Sequence, residues 1–183
     1  MFKLEFSVST VNGVQCQAIS NNIQVIVNSI NPGSISGNQT ICNGGDPALL
    51  SDVSSGTGAG SVTYQWQSST NNSSWSNISG ANGSSYDPPS GLTVSTYYRR
   101  ITISTLNGLN CNSVPSNVVL VTVQSTVTDG SIATNQTICT GGDPAAFTSG
   151  ASGSGSGIIS YQWQSSTTSS SSGFLNIGSA VSA

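Results

Sequence analysis

The sequence predicts an all-β chain built as tandem antiparallel β-sandwiches, and three observations carry that expectation. Thr40-Ile41-Cys42-Asn43-Gly44-Gly45-Asp46-Pro47 returns 97 residues later as Thr137-Ile138-Cys139-Thr140-Gly141-Gly142-Asp143-Pro144, and Tyr64-Gln65-Trp66-Gln67-Ser68-Ser69-Thr70 returns at the same displacement as Tyr161-Gln162-Trp163-Gln164-Ser165-Ser166-Thr167. A fixed period of that length is too long for a solenoid turn and suits one small domain per copy. Apolar and polar residues alternate at period 2, and no segment shows a helical period.

Each element has a local reason. Ser34-Ile35-Ser36 and Gln39-Thr40-Ile41 read as a first, interrupted strand, followed by a Gly44-Gly45-Asp46-Pro47 turn, where Gly and Asp supply backbone freedom. Ala48-Leu49-Leu50-Ser51-Asp52-Val53 is a second strand. After a loop over 54–61, Val62, Tyr64 and Trp66 alternate with Thr63, Gln65 and Gln67, the pattern of a half-buried antiparallel strand. Trp75 to Ile78 forms a short strand, Tyr86-Asp87-Pro88-Pro89 turns, and 95–104 is the longest strand. Asn107-Gly108 marks a hairpin, and 117–123 closes the domain with Val119, Val121 and Val123 on one face. About seven such strands per period read as an immunoglobulin-like sandwich. Tyr64, Trp66, Ile101, Ile103, Val119, Val121 and Val123 are expected in its core.

The chain divides into residues 1–31, the C-terminal half of a repeat; 32–128, a complete repeat; and 129–183, the N-terminal half of a further one. The first assignment rests on Ser9-Thr10-Val11-Asn12-Gly13-Val14-Gln15-Cys16, which matches Ser104-Thr105-Leu106-Asn107-Gly108-Leu109-Asn110-Cys111. Phe2, Leu4, Phe6 and Val8 then read as a strand, and Glu5 interrupts the apolar run that a secretory signal needs. The chain is expected to be an internal piece of a longer protein, or a subunit whose halves are completed by neighbours.

Composition narrows the function. Three Lys or Arg and six Asp or Glu among 183 residues, with no His, leave polarity to hydroxyls and amides. A net charge of −3 removes the electrostatic footing for nucleic-acid binding and for an anionic membrane surface. No run approaches a membrane span. Without His there is no Ser-His or Cys-His pair, and the carboxylates show no pairing in sequence, so no enzyme is expected and no catalytic residue or cofactor is assigned. The dispersed Asp46, Asp52, Asp87, Asp129 and Asp143 offer no calcium cluster, so no metal site is assigned either.

The motifs together, Gln-Thr-Ile-Cys at 39–42, the Gly-Gly-Asp-Pro turn, Tyr-Gln-Trp-Gln-Ser-Ser at 64–69, Tyr-Asp-Pro at 86–88, Thr-Tyr-Tyr-Arg-Arg at 96–100, Asn-Gly with a following Cys111 and a Val-rich closing strand, resemble the Ig-like repeats of very large Bacteroidetes surface proteins, gliding-motility adhesins among them. The resemblance covers nearly the whole chain. It implies export through the type IX secretion system.

The candidate sites are few. Each complete repeat has one early and one late Cys, so Cys42 and Cys111 are expected to pair, with Cys16 and Cys139 finding partners outside the chain. That implies an oxidising, extracytoplasmic location. The rival pairings are Cys16 with Cys42 and Cys111 with Cys139, or four free thiols; the turn after the first strand and the last hairpin lie at opposite ends of a simple sandwich, which opposes the first pairing. Trp66 and Trp163 are expected in cores, whereas Trp75, among Asn and Ser, is a candidate sugar-stacking aromatic. Of Arg99 and Arg100, alternation turns at most one inward.

The expected function is a non-catalytic structural or adhesive repeat protein at the bacterial cell surface. It would form a stiff stalk or fibre, by head-to-tail complementation of half domains in one version, with neighbouring repeats or its own copies as partners. The alternative is a carbohydrate-binding module array of a larger secreted protein, with surface glycans as partners.

Overall fold

The structure, a computed structural model, describes residues 7–19, 21–133, 135–179 and the backbone of 181–182. The alternation over Phe2, Leu4 and Phe6 lies outside the described residues. Among the described residues every regular element is a strand. The N-terminal unit is a hairpin of β1 (Ser7–Val11) and β2 (Val14–Ala18). Its turn residues Asn12 and Gly13 have φ of 50° and 82°, the left-handed values a two-residue hairpin turn demands.

The middle unit contains β3 (Ser34–Ser36), β4 (Gln39–Cys42), β5 (Ser51–Ser54), β6 (Ser61–Ser69), β7 (Ser76–Asn77), β8 (Thr96–Leu106), β9 (Leu109–Asn112) and β10 (Val119–Gln124). Six of them form one sheet in the order β4-β10-β8-β6-β7, with β9 also on β8, while β3 and β5 make a separate ribbon. The C-terminal unit has β11 (Ser131–Ala133), β12 (Thr148–Ala151), β13 (Ser160–Tyr161), β14 (Gln164–Ser165), β15 (Leu175–Asn176) and β16 (Val181–Ser182), all in two-stranded sheets.

This corrects the expectation of tandem immunoglobulin-like antiparallel sandwiches. The chain is all-β, but it has one six-stranded sheet and several two-stranded ones, and β4 runs parallel to β10. The physical reason for the uneven build is strand supply. The extensive sheet forms only where β8 and β10 lie in the same unit as β4 and β6, and a lone ribbon buries too little to close a core. The parallel pair arises at Gly37, whose φ of 132° lets the chain leave the ribbon at β3 and rejoin the sheet at β4; a Cβ there would lie 2.7 Å from Leu50 Cδ2.

The core joins ribbon to sheet. Ile35, Leu50, Trp66, Ala81, Tyr98, Val119 and Val121 are buried in one cluster. The Trp66 indole N–H donates to Gly83 O at 2.9 Å, and its ring lies 5.6 Å from that of Tyr86, which is 5.9 Å from Tyr98. Burial pushes the Tyr98 phenol up to about 12, with the neighbouring Tyr86 adding to the shift. Tyr64, Ile101, Ile103 and Val123, expected inside, are only half-buried.

On β8 the parity is the reverse of the one the apolar residues suggest: Thr96, Tyr98, Arg100, Thr102 and Ser104 face inward. Two contacts explain it. Arg100 is fully buried, donates to Asp52 Oδ1 at 2.9 Å and to Ser84 O and Ser54 O, and lies 4.3 Å above the Tyr64 ring. Thr102 and Ser104 lie under the loop Gly56-Thr57-Gly58-Ala59-Gly60, so close that a Cβ on Gly56 would stand 2.1 Å from Thr102 Oγ1 and one on Gly58 2.3 Å from Ser104 Oγ. Only small hydroxyl residues fit beneath that loop.

Two predictions follow from this packing. Trp66→Ala should destabilise the middle unit by about 3 to 5 kcal/mol, the usual cost of removing a large buried aromatic. Trp75→Ala should cost about 1 kcal/mol or less, as expected of a half-buried cation–π partner at a sheet edge; chemical denaturation of the two variants checks the ranking. Asp52 concerns pH. Partial burial alone would raise its carboxyl, but hydrogen bonds from Ser55 and Arg100 and the guanidinium charge hold it below its ordinary value. A depressed folded pKa stabilises above the unfolded value of about 3.9 and is lost as pH falls through the folded value. The wild-type unit should therefore lose this contribution only below about pH 4. Asp52→Ala should lose about 3 kcal/mol at neutral pH, as a buried guanidinium without a counter-ion does.

Candidate functional site

Two places in the structure carry features a partner could use. The first is the outer face around Trp75. Asn71 organises the loop before it: Asn71 Oδ1 accepts from Ser69 Oγ and from the backbone N–H groups of Ser73 and Ser74, at 3.0, 3.0 and 2.8 Å, while Asn72 takes a φ of 56°. This fixed turn delivers Trp75 to the edge beside β7. There the Arg99 guanidinium lies 4.2 Å over its ring, and Arg99 Nε donates to Gln67 Oε1 at 2.7 Å. Trp75 is half-buried, with one ring face occupied by an internal cation. Only the opposite face is free to stack on a ligand.

The second place is the open face of the C-terminal unit. A cleft of about 390 Å³ is lined by Ile132, Ser149, Ala151, Tyr161 and Trp163, and a neighbouring one of about 380 Å³ by Ile132, Gln136, Ile138, Pro144 and Phe147. Phe147 and Trp163 hold their rings 6.3 Å apart. Ile132, Phe147 and Trp163 stand where Ile35, Leu50 and Trp66 stand in the middle unit. Their exposure is 68%, 54% and 41%, against 3%, 0% and 0%. The clefts therefore coincide with the positions that β8 and β10 side chains fill between residues 32 and 128. The expectation that Trp163 is a core residue is not met, since no strand among the described residues covers it as β8 and β10 cover Trp66.

The cysteines require a correction. Cys16, Cys42, Cys111 and Cys139 are all free thiols, three exposed and Cys111 half-buried, so the Cys42–Cys111 disulfide is not formed. Register gives the reason. Cys42 is level with Gln124, three residues beyond the pairing of Val121 with Thr96, whereas Cys111 is level with Ser104. That is roughly 35 Å along the direction of β8, far beyond the 7 Å a disulfide spans. Among the described residues no group of three or more His, Cys, Asp or Glu is placed to hold a metal.

Sequence reasoning missed the most repeated polar devices in the fold. Gln39 bonds both the N–H and the C=O of Ala48, at 2.7 and 2.9 Å, and Gln136 does the same to Ala145 at the same distances. Gln65 donates to Trp66 O and Ile78 O, and Gln162 to Trp163 O and Ile177 O. These glutamines read as solvent-facing alternators. Their recurrence at one displacement was the signal that they hold loops.

A family described as a domain of unknown function, DUF8696, matches residues 31–125 and again 128–183. The chain belongs to this family and carries its domain twice. The match is to no named adhesin or motility family, so the resemblance noted from the motifs is shown only as far as the repeated domain. No curated protein and no solved structure matches the chain.

For the Trp75 site, Arg99→Ala should uncover the second ring face. The expected outcome is a red-shifted Trp75 emission and easier acrylamide quenching, with a stability loss of about 1 kcal/mol at most.

Proposed function

We propose that this member of the DUF8696 family is a non-catalytic, extracellular structural repeat protein, whose domains in series form an uncharged stalk or fibre holding a binding region away from the cell. The observation that carries this reading is a junction that occurs twice. Asn31 and Thr57 exchange backbone hydrogen bonds at 2.9 and 3.1 Å, and Thr128 and Ser154 do so at 2.7 and 3.2 Å. Just before each bridge, Asn28 accepts from Ala59 N at 3.0 Å, and Ser125 N donates to Ser156 Oγ at 2.9 Å. Each linker thus lies along the glycine-rich loop of the domain that follows it. A junction held by the same backbone bridge at each step, with a further bond three residues before it, favours a regular series over a flexible string.

Composition supports the same reading. A chain with no His and nine formally charged side chains has little to catalyse with, and its hydroxyl and amide surface suits a solvated spacer. The motif resemblance to large exported surface proteins supports a place outside the cell, with export by the type IX system. With the thiols free, the cysteines lend that location no support. The carbohydrate-binding alternative rests on Trp75 and has to work with one ring face, since Arg99 occupies the other.

Small-angle scattering at low concentration should give a radius of gyration well above the roughly 16 Å of a compact 183-residue globule. A value near that figure would sink the stalk reading. A glycan array and a hydrolase and transferase panel should both be blank; retention on one polysaccharide that Trp75→Ala abolishes would favour the binding module instead.

A further inference from the structure

We propose that the middle unit is a load-bearing clamp, in which the entering segment and the closing strand are bonded side by side in parallel, so that tension along the chain loads their bonds together. Its place in a series of domains rests on the stalk reading; the clamp itself rests on a register within the unit.

That register is continuous from Ile35 to Asn43. Asn117 brackets Ile35, accepting from its N–H at 2.9 Å through Oδ1 and donating to its C=O at 2.8 Å through Nδ2. Leu120 N donates to Asn38 Oδ1 at 2.7 Å, β4 pairs in parallel with β10 from Gln39 and Val121 to Cys42 and Gln124, and Asn43 Nδ2 donates to Thr126 Oγ1 at 3.1 Å. The partners stand 82 residues apart at every step but the last, where they stand 83 apart. Side-chain amides thus prolong a short backbone ladder at both ends, over roughly 25 Å at the rise of a parallel strand. The entering chain is held beyond that patch as well. Asn28 donates through Nδ2 to Ser104 O at 3.1 Å and accepts through Oδ1 from Ser104 Oγ and Ala59 N, both at 3.0 Å, while Thr102 Oγ1 donates to Pro32 O at 2.9 Å. The small hydroxyls on the inner side of β8 therefore grip the segment through which the chain enters.

Direction decides how such bonds fail. Parallel neighbours have their starts at one end and their finishes at the other. The chain comes in at Asn28, bonded to Ser104, and leaves past Thr126, five residues beyond the pairing of Val121 with Thr96, so it enters and leaves at opposite ends of β8. Tension between those points runs along the strands, and neither partner can slide without stretching every bond of the register at once. Antiparallel neighbours joined by a hairpin, such as β8 and β9, would instead open from the free end one bond at a time. Bonds loaded together raise the barrier to unfolding, and forced unfolding is governed by that barrier rather than by equilibrium stability.

Single-molecule force spectroscopy of the full chain tests this with two pairs of attachment points. Cys16 and Cys139, both exposed and on either side of the middle unit, serve as handles once Cys42→Ser and Cys111→Ser leave them as the only thiols. For comparison, Cys42 and Ser125→Cys, with Cys16→Ser, Cys111→Ser and Cys139→Ser, place both handles at one end of the parallel pair, where a pull peels it open. Pulling across the unit should unfold it in one step of roughly 300 Å, the length that its residues 31–125 gain on straightening. The force should be several-fold above that for peeling. Asn117→Ala, which removes both bonds to Ile35, should lower the first force and spare the second, because peeling starts at the far end. Gln65→Ala, which removes the ties to Trp66 O and Ile78 O outside the register, should lower the first force much less. Equal forces in the two geometries, or a loss from Gln65→Ala as great as that from Asn117→Ala, would overturn the proposal. Should Asn117→Ala fail to fold, the comparison of the two geometries in the otherwise unaltered unit decides. A clamp in a chain that scatters as a compact globule would sink the stalk reading and leave this inference standing; a weak unit in an elongated chain would do the reverse.

Discussion

A central strand needs neighbours on both edges and something to cover each face, and β8 is the element that meets this requirement in the middle unit. β6 pairs with it over nine residues on one edge, while β10 and then β9 follow one another on the other. β4 is held through β10 and β7 through β6, so the other five strands all reach the sheet by way of β8 or its immediate partners. Where no such strand is present in the same unit, as in the N- and C-terminal units, the backbone keeps its turns and local bonds but the apolar side chains stay in solvent. The buried cluster of the described residues lies in the unit that holds the long strand.

The buried polar face of β8 has its own logic. A guanidinium out of water is costly unless its charge and donors are met, and here Asp52, the backbone carbonyls of Pro32, Ser54 and Ser84 and the Tyr64 ring meet most of them, leaving only Arg100 Nε without a partner. Farther along the strand, the approach of a glycine-rich loop replaces apolar packing with close backbone contact. The inside of this unit is accordingly apolar around Trp66 and polar beneath Gly56 and Gly58, and the two regions share a single strand.

That mixture explains what the sequence made legible. Strand positions, the Asn-Gly hairpins and the burial of Trp66, Val119 and Val121 follow from period-2 alternation and turn chemistry, which are local. The parity of β8 was illegible because Ile101 and Ile103 look like core residues and Thr102 and Ser104 do not; only the loop packed on them makes the small hydroxyls interior. The parallel pairing of β4 with β10 depends on a strand exchange at Gly37, a feature with no periodic signature. Counting cysteines per repeat produced a self-consistent pairing, yet the count carries no information on distance along a sheet, and that distance decided against it. Trp75 was recognised as unlike the other tryptophans, but its stacking partner is an arginine 24 residues away in sequence, on β8, with β6 lying between that strand and β7.

The side-chain amides have a consequence of a different kind. Gln39 on Ala48, Asn117 on both backbone groups of Ile35, and the Gln65 bonds to loop carbonyls act as surrogate strand neighbours, tying irregular segments to the sheet with neutral groups. Counter-ions have nothing to screen in such bonds, and protons have no site on them across the ordinary range of water chemistry. In most proteins these ties would be lysines and glutamates whose strength drifts with the medium. The strength of these particular ties is therefore expected to be the same in dilute and in concentrated salt.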